Sequence, residues 1–114
     1  MAAQSFRDLL AWQRSSDFSI EIYKTFSSIK DFSFKDQIQR AALSVPNNIA
    51  EGYARRSDKS FRSFLLIAKG SAVEVESMLI IASKLGYISE VQQSELTDKV
   101  QEVQKLISGF VKKL

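Results

Sequence analysis

Apolar residues return along this chain at helical spacing in four stretches. From about Asp8 to Ile29, positions Ala11, Ser15, Phe18, Ile22, Phe26 and Ile29 recur at steps of three and four, flanked by Trp12 and Tyr23. Asp31-Phe32-Ser33 breaks the pattern, and Ser33 is expected to cap a second helix from Phe34 to about Ala54. Asp36 at the third helical position makes this a short-carboxylate variant of the capping box. A third helix is expected from about Asp58 to Leu85, with Ser57 as N-cap and Gly86 as its C-terminal stop. Its seam is Phe61, Leu65, Ala68, Ala72, Val75, Leu79 and Ala82. The fourth opens at Ser89, where Gln92 completes a capping box, and carries the seam Leu96, Val100, Val103, Ile107, Phe110 and Leu114.

Four helices with short connections predict an all-α, up-and-down antiparallel four-helix bundle, left-handed, spanning residues 1–114 as a single domain. The third helix departs from simple amphipathicity. Phe64, Ile67, Met78, Ile81 and Leu85 form a band beside its seam, and Leu66, Val73 and Ile80 form another at sevenfold spacing. A helix that is apolar nearly all round is either central or shared with a neighbour, and a four-helix bundle has no central helix. A homo-oligomer is therefore expected, with Leu66, Val73 and Ile80 as its interface. The alternative is that these three are ordinary scattered surface residues.

The stretch Ser44 to Ser57, S-V-P-N-N-I-A-E-G-Y-A-R-R-S, is the least regular in composition. On a helical wheel Ile38, Ala42, Val45, Ile49 and Tyr53 still share one side, so the period survives Pro46 and a kinked helix is favoured over a loop. The rival reading makes Pro46 the first residue of a new helix, which would need Val45 as a cap, a poor one. Pro46 deprives the Ala42 carbonyl of its intrahelical donor. Ser44, Asn47 and Asn48 are expected to satisfy part of what the break exposes. Gly52 and Gly70 are expected at close helix approaches. Glu74 falls in an apolar band and needs a partner, with Arg40 or the asparagines as candidates. Glu51 with Glu74 is the one carboxylate pair that invites acid/base or metal chemistry, and a structural ion pair at Glu74 is the favoured reading.

Composition narrows the chemistry. The 114 residues contain no cysteine and no histidine. That removes disulfides, thiolate and imidazole metal sites and imidazole-based catalysis. No catalytic residue, metal or cofactor is expected. Without a leader-like start or a run long enough to span a bilayer, the chain is expected to be cytoplasmic and free of membrane. Formal net charge is +3. Its distribution is uneven, since Arg55, Arg56, Lys59, Arg62 and Lys69 face only Asp58 around the second connection. Such a cluster, joined by Arg40, suits nucleic-acid phosphates. The plain alternative is a solvated surface.

Gln37 to Gly52, Q-I-Q-R-A-A-L-S-V-P-N-N-I-A-E-G, resembles the signature of the 23S rRNA intervening-sequence proteins, also called the S23 ribosomal protein family. Agreement extends to the early L-L-A-W-Q-R-S, to S-F-R-S-F-L-L-I-A-K-G-S at Ser60 to Ser71, and to L-G-Y-I at Leu85 to Ile88. The resemblance covers the whole chain in order. It implies a bacterial four-helix bundle, in some relatives a cylindrical homopentamer. It extends to the accessory variability determinant proteins, basic bundles that associate with nucleic acid and a reverse transcriptase. It implies no defined activity and no catalytic residues. The expectation is thus a non-enzymatic bundle, homo-oligomeric and by this resemblance pentameric, that binds RNA or DNA phosphates. The alternative is an adaptor that recruits a partner protein such as a polymerase or reverse transcriptase.

Overall fold

A 3₁₀ turn (Phe6–Asp8) precedes helices α1 (Leu10–Phe26), α2 (Phe32–Ala54), α3 (Asp58–Lys84) and α4 (Glu90–Lys112) in the computed structural model, which describes residues 5–114. Neighbours in sequence pack side by side and α4 closes against α1. The antiparallel sense shows in the cross-helix contacts. Ser19 meets Ala42 and Tyr23 meets Gln39; Ser44 meets Ser71 and Gln37 meets Glu74. The molecule measures 43 × 22 × 20 Å. The long dimension is that of α3, whose 27 residues rise about 40 Å. No helix among the described residues is long and apolar enough to cross a membrane.

The heptad-like seams form the core. Phe18, Ile22 and Phe26 of α1, Ile38, Ala42, Val45 and Ile49 of α2, all seven α3 seam residues, and Leu96, Val100, Val103 and Ile107 of α4 are buried. Ser57 caps α3 by accepting from the Ser60 N–H, and Ser89 with Gln92 forms the reciprocal capping box of α4. Gly86 follows α3 at φ +78°, where the Tyr87 N–H bonds Ala82 O and the Gly86 N–H bonds Ser83 O. These are the two bonds of a Schellman stop, which needs a residue in the left-handed region.

Three boundaries differ from the sequence reading. The chain is extended at Leu9, so α1 starts after a separate 3₁₀ turn, and it ends at Phe26 instead of Ile29. The cap of α2 is Asp31 instead of Ser33, because its Oδ1 accepts from the Phe34 N–H at 3.1 Å and the helix begins one residue later. The other Asp31 oxygen accepts from the Tyr87 hydroxyl at 2.7 Å, tying both connections at this end together. That hydroxyl, and then the Phe34 N–H, hold the Asp31 carboxyl below its ordinary value, while the same bond raises the Tyr87 phenol.

Helix α2 passes through Pro46 without interruption, as the wheel predicts, and Pro46 is buried. The compensation is different from the one expected. The Ala42 carbonyl is met by Ser19 of α1, whose Oγ lies 2.7 Å from it and 2.8 Å from Ser15 O, so one hydroxyl proton serves two acceptors. Asn48 instead donates to Ser44 O and Oγ at 2.7 and 2.9 Å, and Ser44 Oγ reaches Ser71 Oγ at 2.8 Å, linking α2 to α3. Asn47 is exposed and takes no part in this link.

Candidate nucleic-acid interface

Antiparallel packing collects residues 5–8, 51–62 and 109–114 at one end of the bundle. The Arg62 guanidinium reaches Val111 O at 3.4 Å, which fixes the start of α3 beside the end of α4. Seven basic residues lie in these segments, Arg7, Arg55, Arg56, Lys59, Arg62, Lys112 and Lys113, against Asp8, Glu51 and Asp58. All seven are exposed. Four surplus positive charges at one end exceed the +3 of the entire chain, so the remainder is slightly acidic. Such segregation gives the molecule an electropositive pole.

The pole has a defined local structure. Arg55 pairs with Glu51 one turn earlier at 3.2 Å and lies over the Phe64 ring at 5.1 Å, which seats its guanidinium at the α2–α3 seam. Arg56 sits just past the α2 C-cap at φ +57°, the left-handed position that normally favours glycine. Lys59 and Arg62 occupy the exposed side of the first α3 turns. Gly52 brings the two helices together here: a Cβ at this position would stand 2.5 Å from Phe64 Cβ and 3.1 Å from Phe61. The close approach expected at Gly52 is thus present, and the buried glycine is what seats Arg55 beside α3.

Two of the expected basic residues lie elsewhere. Arg40 is fifteen residues before Arg55, about 22 Å away along α2, and pairs with Asp36 at 2.9 Å. Lys69 is half-buried on the row of α3 that carries Arg62 and Glu76, and Glu76 is bound by Gln101 and Gln104 of α4. Lys69 therefore faces the α4 flank instead of the pole. Conversely, Arg7, Lys112 and Lys113 escaped the sequence reading, which weighed charge only on the second and third helices and their connection. The predicted antiparallel order itself places the end of α4 beside the start of α3.

The polar residues expected in the interior are largely at the surface. Glu51, Gly70 and Glu74 are exposed. Glu74 accepts from Gln37 at 3.3 Å instead of meeting Arg40 or an asparagine, because its band faces out beside α2. A Cβ on Gly70 would meet nothing within 4 Å, so no neighbour in its own chain requires that glycine. Gln37 stands fourteen residues before Glu51, which separates Glu74 from Glu51 by about 21 Å along α2. The carboxylate pair that invited acid/base chemistry is not assembled. Among the described residues no three carboxylates gather to hold a metal ion.

The expected contact band on α3 is exposed: Leu66 at 49%, Val73 at 48% and Ile80 at 43%. Ile67, Ile81 and Leu85, assigned to the neighbouring band, are equally exposed, whereas Met78 is buried and Phe64 half-buried. The outer face of α3 is thus a broad apolar surface running most of the helix.

The family described as 23S rRNA-intervening sequence protein matches residues 7–109. The chain belongs to that family. A search of the curated proteins finds no match. Among solved structures, the chain is similar to a protein of unknown function from the S23 ribosomal protein family of Bacteroides thetaiotaomicron, determined at 1.70 Å. The two share 28% identity with a TM-score of 0.84, over 90% of this chain and 99% of that one. Membership in the intervening-sequence family goes with the four-helix fold shared with that structure, and the basic pole is the feature of this member that bears on chemistry.

Proposed function

We propose that this protein is a non-enzymatic, oligomeric nucleic-acid-binding bundle whose basic pole holds phosphates. The observation that carries the reading is the concentration of seven exposed cations against three carboxylates in the segments of one end. Arg55, Arg56, Lys59 and Arg62 form its centre. Arg55 is pre-oriented by Glu51 and Phe64, and a guanidinium fixed in this way loses less freedom on meeting a phosphate. Backbone contacts of this kind bind without reading sequence.

Assembly concentrates the effect. The outer α3 face exposes Leu66, Ile67, Val73, Ile80 and Ile81, with small residues Ser63, Gly70 and Ser77 spaced seven apart between them. Gly70 costs about 1 kcal/mol of helix stability relative to alanine, and no contact in its own chain accounts for it. A second copy packed on this face explains both features, since small residues let helices approach closely. Each added copy brings another basic pole, which multiplies phosphate contacts.

Replacing Arg55, Arg56, Lys59 and Arg62 with alanine tests the reading. RNA and DNA affinity at low salt is expected to fall by two orders of magnitude or more, as about four lost phosphate contacts imply. Helical circular dichroism and oligomeric mass should persist. Full binding by the fourfold variant would reject the pole as the ligand site. Retained biological function without it would favour the adaptor reading.

A further inference from the structure

We infer that the basic pole takes single-stranded nucleic acid, with one unstacked base seated in an aromatic cleft beside Arg56. The inference rests on the nucleic-acid reading above and specifies the form of the ligand. The cleft, about 790 Å³, opens at the same end of the bundle. Phe6, Tyr53, Phe61 and Phe110 line it, with Arg56 and Asp58 among its polar members. Phe61, itself buried, packs against Tyr53 at 5.9 Å and edge-on against Phe110 at 5.1 Å, so its ring backs the half-buried Tyr53 and Phe110 rings that line the cleft with Phe6. Phe6 joins from the 3₁₀ turn and is held edge-on to Trp12 at 5.1 Å.

Chemistry selects the occupant. An aromatic wall next to cations is the pairing that single-strand binders use, with bases stacked on rings and phosphates on arginine and lysine. A base inside a duplex is already stacked and paired, so it cannot enter without being unpaired and extruded. The carboxylate of Asp58 among the lining residues disfavours a second anion at the mouth of the cleft. It suits a neutral ring that offers an amino group, as cytosine N4 does to a carboxylate. Phosphates on either side of the inserted base then fall to Arg56 and Lys59, which stand outside the apolar wall.

The test compares a labelled single strand with a blunt duplex of equal length by fluorescence anisotropy at low salt. A second single strand carries one central 2-aminopurine. The single strand is expected to bind at least about tenfold more tightly, the gain that one stacked base supplies. Emission of 2-aminopurine, and of Trp12 as the only tryptophan, should change on binding. Phe6→Ala and Tyr53→Leu should each reduce the single-strand advantage severalfold and leave duplex binding intact. Phe6 lies outside the four helices and is only partly buried, and circular dichroism of each variant checks that the bundle is retained. Equal affinity for the two forms, or a preference that survives both substitutions, would overturn the inference while leaving the phosphate reading standing. Absence of binding to either form would reject both. A saturable Trp12 response to decanoate, with none to the strand, would reassign the cleft to acyl chains.

Discussion

Ser19 of α1 places its hydroxyl oxygen 2.7 Å from the carbonyl of Ala42, the acceptor that Pro46 leaves without a helical donor four residues later. Both Ser19 and Ala42 are buried, so water does not take the serine's place. A buried serine and a buried proline on different helices are thereby one structural unit. Ser19→Ala should destabilise the bundle by about 1–3 kcal/mol, the cost of an unsatisfied buried carbonyl. In a Pro46→Ala background, the restored N–H supplies the missing bond, and the same serine substitution should cost clearly less. Urea denaturation of the four proteins in the cycle measures the coupling; additive effects would show that Ser19 does not serve the proline break.

Gly52 has a separate role. Its missing side chain lets Phe64 approach to a distance no Cβ tolerates, and the contact is between two backbone-proximal atoms that cannot swing aside. Gly52→Ala should force α2 and α3 apart at the basic end and cost about 1–3 kcal/mol despite alanine's better helix propensity. Gly70→Ala offers the contrast, because the site is open in the single chain. It should stabilise an isolated subunit by about 1 kcal/mol and weaken assembly.

Arg56 occupies a left-handed conformation that costs an L-residue about 1–2 kcal/mol. Arg56→Gly is therefore expected to raise thermal stability modestly, by up to about 1 kcal/mol after allowing for the greater freedom of glycine in the unfolded chain. The same change should weaken nucleic-acid binding. Calorimetry and a binding titration on one preparation check the pair of outcomes, and a variant that gains stability with unchanged affinity would remove Arg56 from the interface.

Much of this was legible in the residues. Seams such as Phe61-Leu65-Ala68-Ala72 are read directly from spacing, because burial on a helix depends on period alone. Caps at Ser57 and Ser89 and the stop at Gly86 are equally local. The misread features depended on partners far away in sequence. Ser33 looks like a cap, but Asp31 takes the Phe34 N–H with one oxygen while Tyr87 of the α3–α4 connection holds the other. The asparagines look like the remedy for Pro46 until Ser19 arrives from another helix. Glu74 appears buried on a wheel that cannot show this edge of α3 lying exposed beside Gln37 of α2. The basic pole was half visible, since Arg55 to Arg62 are contiguous while Arg7, Lys112 and Lys113 reach it only through the fold. Its aromatic cleft was visible only in pieces, since Tyr53, Phe61 and Phe110 each lie on a helical seam and the fold brings them together with Phe6 of the turn.

The Asp31–Tyr87 bond gives a pH signature. The folded Asp31 carboxyl titrates below its ordinary value of 3.8, so its contribution is present above about pH 4 and is lost as pH falls through the lowered value. Tyr87 titrates above 10.0, so its contribution is complete below that pH and disappears as pH rises through the raised value. Tyr87→Phe should flatten the stability profile at both extremes and leave a residual acid dependence from the Phe34 N–H bond. Melting temperatures from pH 2 to 11 provide the check; an unchanged profile would mean the bond is not maintained in solution.

Oligomerisation through α3 predicts a light-scattering mass that is a multiple of 12.9 kDa at micromolar concentration. Val73→Glu places a charge in the centre of the exposed face and should yield a helical monomer. A wild-type mass of 12.9 kDa would contradict the assembly.

The most direct test of phosphate binding at the pole is the salt dependence of nucleic-acid affinity. If Arg55, Arg56, Lys59 and Arg62 each displace one counterion, the logarithm of the association constant should fall against the logarithm of salt with a slope of about −3 per subunit engaged. Reversing Arg56 and Lys59 to glutamate should abolish binding at low salt. An affinity indifferent to salt, or no affinity at low salt, would contradict the account.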